Sequence, residues 1–495
     1  MNRVAILLVL GSAVIANAQV PCEQLRSLNL PTVTISLAES VPVGPLPAHC
    51  RVAAALAPTP ESHIEMELWL PAPDAWNGKF EALGNGGWAG TIPTGSPKPT
   101  PLPRNLSYAL QEGYATAGTD TGHKGADAAF APGNPEKLED FADRAVHEMT
   151  VQAKAIIAAF YGAGPKLSYW NGCSTGGRQG LMEAQRYPDD FDGIVAGAPA
   201  NYWTHLMAAI IWSAQANHEG QPGNLTSDKM TLLHDAVLRA CDALDGVKDG
   251  VLEDPSRCKF DPQVLLCKEG DGPDCLTDAQ VKTAREMYSG PIDPRTGQQI
   301  YPGLAPGSEL GWDPVKGLQP LPIAESYYQY LVFGNPNWDY RKLNFDTDIA
   351  LTDKLDHGLI NATNPDLSAF FKHGGKLLQF HGWNDQEISP FNSVNYYKRV
   401  QARLGNLMKL PDSYRLFMVP GLMHCSGGPG ANQFYPMAVL ERWRELNIAP
   451  DRIIAEHVMG SAVDNTRPLC PYPEVAVYRG SGSIHDAGNF SCKAP

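Results

Sequence analysis

The chain carries a serine in a glycine-rich turn between a short apolar strand and a helix. Leu167-Ser168-Tyr169-Trp170 is typical of a strand, the turn is Gly172-Cys173-Ser174-Thr175-Gly176, and a helix is predicted from about Gly177 to Tyr187. Small residues on both sides of Ser174 permit the tight turn that brings strand and helix backbones together. Such a turn places the serine hydroxyl at a helix N-terminus, which favours negative charge. An ordinary glycine-rich βα turn is the alternative interpretation.

Strands and helices alternate around this turn. Further strands are predicted over 64–70, 79–83, 114–118, 194–196, 376–380 and 414–419, and further helices over 141–161 and 394–404. The segment 64–70 alternates apolar and polar residues, which indicates a half-buried strand. Strands that alternate with helices are typical of parallel βαβ units. The predicted fold class is therefore α/β.

The stretch 202–372 interrupts this alternation. It carries four of the ten cysteines, many proline and glycine residues, and scattered helices. We interpret it as a lid inserted over the sheet, so the predicted catalytic domain comprises 19–201 and 373–495. Because 43% of the 495 residues are hydrophobic and 19% are charged, the chain has the composition of a globular protein with ample core.

The first eighteen residues are typical of a secretory signal peptide. Arg3 supplies a positive charge, an apolar run follows from Val4, and Ala16-Asn17-Ala18 matches the pattern of a cleavage site. The alternative is an N-terminal membrane anchor, but the run is shorter than the roughly 20 apolar residues that span a bilayer. We therefore predict a mature chain that begins at Gln19 and is secreted, either to the extracellular space or to the periplasm.

The charge balance excludes two classes of partner. There are 39 Lys and Arg against 53 Asp and Glu, which gives a net charge of −14, and basic runs are absent from the sequence. Nucleic acids and anionic membrane surfaces bind clustered Lys and Arg. We therefore expect neither nucleic acid nor membrane as a partner.

Ten cysteines, an even number, follow the predicted signal peptide, which favours disulfides over a metal cluster. Many pairings are possible, and spacing alone leaves the connectivity open. Pairing of near neighbours suggests Cys22–Cys50, Cys241–Cys258, Cys267–Cys275 and Cys470–Cys492, which leaves Cys173 with Cys425. Two buried free thiols at the last two positions are the alternative. A Cys-x-x-Cys pair is absent, which disfavours zinc and thioredoxin-type chemistry.

A serine nucleophile needs a base, and the base needs an acid that orients it. His424 follows the strand that ends at Val419 and precedes a glycine-rich stretch, which is where a catalytic base belongs. Asp385 occupies the loop after the strand 376–380 and is the predicted acid. His381 is the rival base, but it is expected to pack or form hydrogen bonds beneath that loop.

An oxyanion hole needs two backbone N–H donors. One is expected from Thr175, the residue after the nucleophile. The second is expected from the loop Asn85-Gly86-Gly87-Trp88, where Gly87 is favoured slightly over Gly86.

The loop 241–251 contains three aspartates and two glycines, and hard divalent cations bind several oxygen ligands on such turns. Carboxylates are expected from Asp242, Asp245 and Asp249, and backbone carbonyls from Val247 and Val251. A solvated turn is the alternative. Since the loop contains no nucleophile or base, a bound calcium ion would be structural.

The Asp-rich loop 241–251 and four short motifs together resemble the tannase and feruloyl esterase family. The motifs are Cys173-Ser174-Thr175-Gly176-Gly177, Phe333-Gly334-x-Pro336-x-Trp338, His381-Gly382-Trp383-x-Asp385 and Met423-His424-Cys425. The resemblance implies an α/β-hydrolase core with a large disulfide-bonded lid, a Ser174–Asp385–His424 triad, a disulfide between the neighbours of Ser174 and His424, and calcium bound in the lid. The family includes a bacterial hydrolase of mono(2-hydroxyethyl) terephthalate that has Glu where this chain has Thr175, which disfavours that substrate.

The resemblance predicts a secreted serine esterase that cleaves hydroxycinnamate esters, either small or linked to polysaccharide. Gallate esters and mono(2-hydroxyethyl) terephthalate are alternative substrates, and a serine peptidase or a catalytically silent binding protein are alternative classes. Six aromatic residues are candidates to line an acyl pocket or, equally, to form the core of the lid: Tyr327, Tyr328, Tyr330, Phe333, Trp338 and Trp383.

Overall fold

A computed structural model describes residues 19–95, 102, 104–218, 220–312, 320–460 and 462–495. The predicted signal peptide, residues 1–18, lies outside these ranges. Within them, none of the helices has the length and apolar character needed to cross a membrane.

Nine strands form one mixed sheet in the order β1-β2-β3-β5-β4-β6-β7-β8-β9. The strands from β5 to β9 in this order are all parallel, and β1, β2 and β3 add an antiparallel edge. Four C-terminal strands form two small two-stranded sheets. The strands are β1 Val33–Val41, β2 His49–Leu56, β3 Ile64–Pro71, β4 Lys79–Leu83, β5 Ala115–Thr119, β6 Leu167–Cys173, β7 Gly193–Gly197, β8 Lys376–Gly382, β9 Tyr414–Val419, β10 Ile453–Met459, β11 Ala462–Leu469, β12 Val475–Tyr478 and β13 Phe490–Lys493.

Helices cover both faces of the parallel part of the sheet, as such sheets require. The α-helices of the described chain, of which α5 to α10 belong to the segment between β7 and β8, are α1 Leu106–Gln111, α2 Pro135–Glu139, α3 Ala145–Tyr161, α4 Thr175–Arg186, α5 Trp203–Ala216, α6 Ser227–Cys241, α7 Asp278–Ser289, α8 Pro322–Ser326, α9 Asp348–Asp356, α10 Ser368–Lys372, α11 Pro390–Leu404 and α12 Pro436–Leu446. A π-helical turn, Asp140–Arg144, joins α2 to α3, and a second, Tyr327–Val332, continues α8.

The predicted half-buried strand at 64–70 is instead buried on both faces. Seven of the eight residues of β3 are buried, and only Glu65 is partly exposed. The reason is its place in the sheet, since β3 lies between β2 and β5 with apolar clusters on either side. Alternation of residue type therefore indicated the strand correctly but not its degree of burial.

Between β7 and β8 the chain runs through α5 to α10, and the described residues of this segment contribute no strand to the sheet. The segment has an apolar cluster of its own, which includes Leu225, Leu233, Val281 and Trp312. A second cluster, around Trp203, packs it against the rest of the protein. The exact domain boundaries, 202–372 for the lid and 19–201 with 373–495 for the catalytic domain, stay a prediction.

Five disulfides cross-link the chain, and they join the same pairs as the sequence suggested. They are Cys22–Cys50, Cys173–Cys425, Cys241–Cys258, Cys267–Cys275 and Cys470–Cys492. Four of them close loops of at most 28 residues, whereas Cys173–Cys425 spans 252. The described residues include no free cysteine.

Candidate active site

Ser174 lies between the end of β6 and the start of α4. Its backbone has φ 64° and ψ −123°, a conformation that costs energy in a non-glycine residue and is concentrated at functional sites. The turn is so tight that a Cβ on Gly172 would lie 2.6 Å from backbone atoms of Gly176. This strand–turn–helix geometry is typical of a nucleophile elbow, with the serine at the N-terminus of α4.

Asp385 and His424 follow the two neighbouring strands β8 and β9, whose carboxyl ends lie at the same edge of the sheet as that of β6. His424 Nδ1 lies 2.8 Å from Asp385 Oδ2. The other oxygen, Asp385 Oδ1, accepts hydrogen bonds of 2.9 Å from the backbone amides of Glu387 and Ile388. Asp385 is fully buried, so its carboxylate is held in one orientation towards the imidazole.

The two side chains alter each other's protonation. Burial raises the pKa of Asp385, but the charge of His424 and hydrogen bonds from His381 and His424 outweigh it and hold that pKa well below its usual range. Burial lowers the pKa of His424, but the charge and hydrogen bond of Asp385 outweigh it and raise that pKa to about 9. The pair therefore favours an ionised carboxylate beside a strongly basic imidazole.

His381, the rival base, also contacts Asp385, at the same carboxylate oxygen as His424. It is fully buried, its Nε2 is 3.1 Å from Asp385 Oδ2, and its Nδ1 is 2.7 Å from Ser393 Oγ. Its position beneath the loop agrees with the expectation from the sequence. His381 supports the acid, whereas His424 reaches the cavity.

Ser174 and His424 line one cavity of about 440 Å³, together with Gly86, Gly87 and Glu387. In the described part of the chain, the Ser174 hydroxyl forms no hydrogen bond to His424. Such bonds are often long before substrate binds. The Cys173–Cys425 disulfide, with a Cα–Cα distance of 6.0 Å, joins the two neighbours of these residues and ties the elbow to the histidine loop.

The loop after β4 is fastened to the elbow at several points. Thr175 Oγ1 donates a 2.6 Å hydrogen bond to the Gly87 carbonyl, and the Gly176 amide donates to the Asn85 carbonyl at 2.8 Å. The indole of Trp88 donates to Ser326 Oγ at 3.0 Å, which connects this loop to the segment between β7 and β8. The two residues predicted to supply the oxyanion amides, Thr175 and Gly87, are therefore held together by a side-chain bond that sequence reasoning missed.

A second connection to the inserted segment comes from the loop that carries Asp385. Asn384 Nδ2 donates to the Gly307 carbonyl at 2.7 Å, and Ser389 Oγ donates to the Gly303 carbonyl at 2.5 Å. The inserted segment is thus hydrogen-bonded to the loops on both sides of Ser174.

Glu387 is the other residue that sequence reasoning missed. Its Oε2 lies 3.6 Å from His424 Nε2, and its side chain is 36% exposed at the cavity. The only signal in the sequence was its place two residues after Asp385.

The six candidate pocket aromatics do not surround Ser174. None of them is among the described residues that line its cavity, where Phe380 is the aromatic side chain. Tyr327, Tyr328, Trp338 and Trp383 are buried, and Tyr328, Phe333 and Trp338 stack on one another with ring centroids 5.2 to 6.1 Å apart. This arrangement favours the interpretation that most of them form packed core.

The aspartates of the loop 241–251 bind its own backbone. Asp242 accepts from the amides of Asp249 and Gly250 at 3.3 Å, Asp245 accepts from Val247 at 2.9 Å, and Asp249 pairs with Arg467. Burial raises the pKa of Asp245 to about 6.

The atoms of this loop that could coordinate a metal ion are all oxygen atoms, and such hard ligands suit calcium. Within the described residues, no three His, Cys, Asp or Glu side chains are grouped so that they could hold a metal ion by themselves. A calcium site here therefore depends on backbone carbonyls as well as carboxylates.

Comparison with known proteins places this geometry in a family. The sequence model of the family described as tannase and feruloyl esterase matches residues 50–493. An uncharacterised esterase of Xanthomonas campestris is 36% identical, with 96% of this chain and 92% of the relative aligned. A probable feruloyl esterase B-2 of Aspergillus oryzae is also 36% identical, with 99% of each chain aligned.

A solved structure gives the same result. The crystal structure of feruloyl esterase B from Aspergillus oryzae superposes with a TM-score of 0.88 at 34% identity, and covers 95% of this chain and 99% of the relative. The predicted α/β-hydrolase fold is confirmed by this likeness together with the parallel sheet. The chain belongs to the tannase and feruloyl esterase family and is a carboxylic ester hydrolase.

Proposed function

We propose that this protein is a secreted serine esterase that cleaves esters of hydroxycinnamic acids such as ferulic acid, either as small molecules or attached to polysaccharide. The proposal rests on one observation: Ser174 and His424 line the same cavity. Ser174 lies on a strained turn, and the His424 imidazole is hydrogen-bonded to the buried Asp385 carboxylate. The relatives are named feruloyl esterases, which supports a hydroxycinnamoyl group as the acyl part of the ester. The five disulfides and the signal-like segment 1–18 support secretion.

The mechanism assigns one role to each side chain. His424 Nε2 accepts the proton of the Ser174 hydroxyl as Ser174 Oγ attacks the ester carbonyl, and the amides of Thr175 and Gly87 donate to the oxyanion. His424 then gives that proton to the departing alcohol oxygen, which leaves a feruloyl ester on Ser174. Water, deprotonated by His424, then attacks the acyl carbonyl, and His424 returns the proton to Ser174 Oγ as the bond to that oxygen breaks and ferulate leaves. Asp385 holds Nδ1 of His424 protonated and stabilises the imidazolium.

Hydrolysis of methyl ferulate, methyl gallate and mono(2-hydroxyethyl) terephthalate by the purified protein tests the substrate class. We expect the highest kcat/KM for methyl ferulate. A preference for methyl gallate would replace the hydroxycinnamate proposal with a tannase-type activity. Turnover of none of the three, with Ser174 still labelled by a fluorophosphonate, would keep the nucleophile and contradict the substrate class.

The Thr175 hydroxyl is expected to position the oxyanion donors. Thr175→Val keeps the shape of the buried side chain but loses the bond to the Gly87 carbonyl, so we expect kcat to fall about tenfold with little change in KM, because an oxyanion hole acts mainly in the transition state. Thr175→Ser keeps a hydroxyl and is expected to retain most of the rate. Steady-state kinetics on methyl ferulate measure both variants, and equal rates for them would contradict the role.

We further propose that the loop 241–251 binds a structural calcium ion. Asp242, Asp245 and Asp249 would supply carboxylates, and Val247 and Val251 would supply carbonyls. The ion would neutralise the partly buried carboxylates and cross-link a loop that the Cys241–Cys258 disulfide already constrains.

Removal of calcium with a chelator is expected to lower the melting temperature, because a ligand that binds only the folded state at about 100 times its Kd adds roughly 3 kcal/mol to the free energy of unfolding. The double variant Asp242→Asn/Asp245→Asn is the matched control and should melt at the same temperature with or without chelator. An unchanged melting curve for the unmodified protein, with no metal found by elemental analysis, would remove calcium from the proposal.

A further inference from the structure

The carboxyl group of Glu387 faces the cavity beside the proposed catalytic base. Its Oε2 is 3.6 Å from His424 Nε2, and its backbone amide donates to Asp385 Oδ1 at 2.9 Å. The carboxylate that orients the imidazole therefore also fixes the backbone of Glu387. Glu387 therefore holds its charge at a fixed place in the site, and the proposed mechanism gives that charge no role.

The other charged side chains of the cavity do not neutralise the Glu387 carboxylate. Arg104 also lines the cavity, but its Nε and Nη2 donate to Glu81 at 2.5 and 2.7 Å, and Nη2 donates to Glu112 at 2.5 Å. Glu81 is fully buried, so this cation is already paired. Among the described residues, the only cationic partner within 4 Å of the Glu387 carboxylate is His424, when it is protonated.

The location of this charge determines which part of a substrate meets it. In the proposed mechanism, Nε2 of His424 delivers a proton to the departing alcohol oxygen. A carboxylate 3.6 Å from that nitrogen lies beside the alcohol portion of the ester rather than beside the acyl ring. A carboxylate accepts hydrogen bonds from hydroxyl groups and repels a second negative charge.

We propose that Glu387 makes this esterase select esters of uncharged, hydroxyl-bearing alcohols and discriminate against esters whose alcohol portion carries a carboxylate. The inference rests on the proposed function, since it names the alcohol side of the same reaction. Sugars and polyols have the required chemistry.

Two ferulate esters of matched length test this selection: the 2-hydroxyethyl ester, which is neutral, and the carboxymethyl ester, which is anionic. Both give the same feruloyl enzyme, so their kcat/KM values differ only in the steps up to departure of the alcohol. Burial and the charge of Asp385 outweigh the charge of His424 and raise the pKa of Glu387 above its ordinary value. The assay is therefore run at about pH 9.5, above the His424 pKa of about 9, so that Glu387 is ionised and His424 is largely the neutral base.

We expect the unmodified protein to prefer the neutral ester and Glu387→Gln to reduce that preference about tenfold, the size of effect expected for two charges several ångströms apart at a partly solvated site. Glu387→Asp keeps the charge and should keep most of the preference. Glu61→Gln removes one charge from an exposed position outside the cavity lining and should leave the preference unchanged. Glu387→Ser is a second variant without the charge, in case Glu387→Gln folds poorly.

The outcomes separate the two proposals. An unchanged preference in both variants without the charge, with the neutral ester still hydrolysed, would overturn the role of Glu387 and leave the proposed function standing. Failure of the unmodified protein to hydrolyse either ester would overturn the proposed function and this inference with it.

Discussion

Ser174→Ala is expected to abolish ester hydrolysis while leaving the fold intact. Loss of a serine nucleophile from a triad of this kind lowers kcat by about 10⁶. The substitution removes one oxygen atom and leaves no donor or acceptor without a partner, because the Ser174 hydroxyl forms no hydrogen bond to His424 in the described residues. Steady-state hydrolysis of methyl ferulate and circular dichroism measure the two halves of this prediction.

A neighbouring serine provides the control for this variant. Ser426 is exposed on the histidine loop, two residues after His424, and has no part in the proposed mechanism. Ser426→Ala should retain full activity and should still react with a fluorophosphonate, whereas Ser174→Ala should not react. Full activity of Ser174→Ala would show that another residue is the nucleophile.

The double variant Cys173→Ala/Cys425→Ala is expected to lose both stability and activity. The disulfide closes a loop of 252 residues and so lowers the entropy of the unfolded chain. Its removal restores that entropy, which is expected to lower the free energy of unfolding by about 5 kcal/mol. The same change releases the histidine loop from the elbow. Since a displacement of about 1 Å in an active site can cost a factor of about 100, we expect kcat to fall by at least about tenfold.

Cys267→Ala/Cys275→Ala is the matched control because it removes a disulfide of the inserted segment that closes only 8 residues. Its expected cost is about 2 kcal/mol, with kcat unchanged. Chemical denaturation followed by fluorescence gives the stabilities, and methyl ferulate gives the rates. If both double variants lost equal stability and kept equal kcat, the Cys173–Cys425 disulfide would have no special role at the site.

Much of the fold follows from local pattern. The strand prediction at 79–83 matches β4 residue for residue, and that at 414–419 matches β9, because each segment is too short for a typical helix and runs directly into a glycine-containing turn. The predicted start of α4 at Gly177 was two residues late, since the elbow places Thr175 already inside the helix. Boundaries of this kind depend on the tertiary turn rather than on helix propensity.

Other elements gave no clear signal. The edge strands β1 and β2 and the C-terminal strands β10 to β13 were not predicted individually. The segment of β2, His-Cys-Arg-Val-Ala-Ala-Ala-Leu, contains residues that suit a helix equally well, and its pairing with β1 and β3 decides its conformation. Long-range pairing of this kind is not visible in a local window.

The candidate site shows the same division. Ser174, Asp385 and His424 could be predicted because each follows a strand, and the carboxyl ends of parallel strands meet at one edge of the sheet. The bond from Thr175 to Gly87 and the approach of Glu387 to His424 were missed, because both join residues that are far apart in the chain: 88 and 37 positions, respectively. The sequence left Trp338 and Tyr328 open between an acyl pocket and lid core, and their rings stack in buried core.

The hydrogen bonds from Trp88 to Ser326 and from Asn384 to Gly307 bear on how such enzymes can be recombined. They attach the inserted segment to the loop after β4, which carries the proposed oxyanion donor Gly87, and to the loop that carries Asp385, the proposed triad acid. A chimera that exchanged only the insertion between two relatives would break both attachments, so a change of specificity would be accompanied by a loss of rate. A chimera would keep its rate when the two loops that form these hydrogen bonds are exchanged together with the insertion.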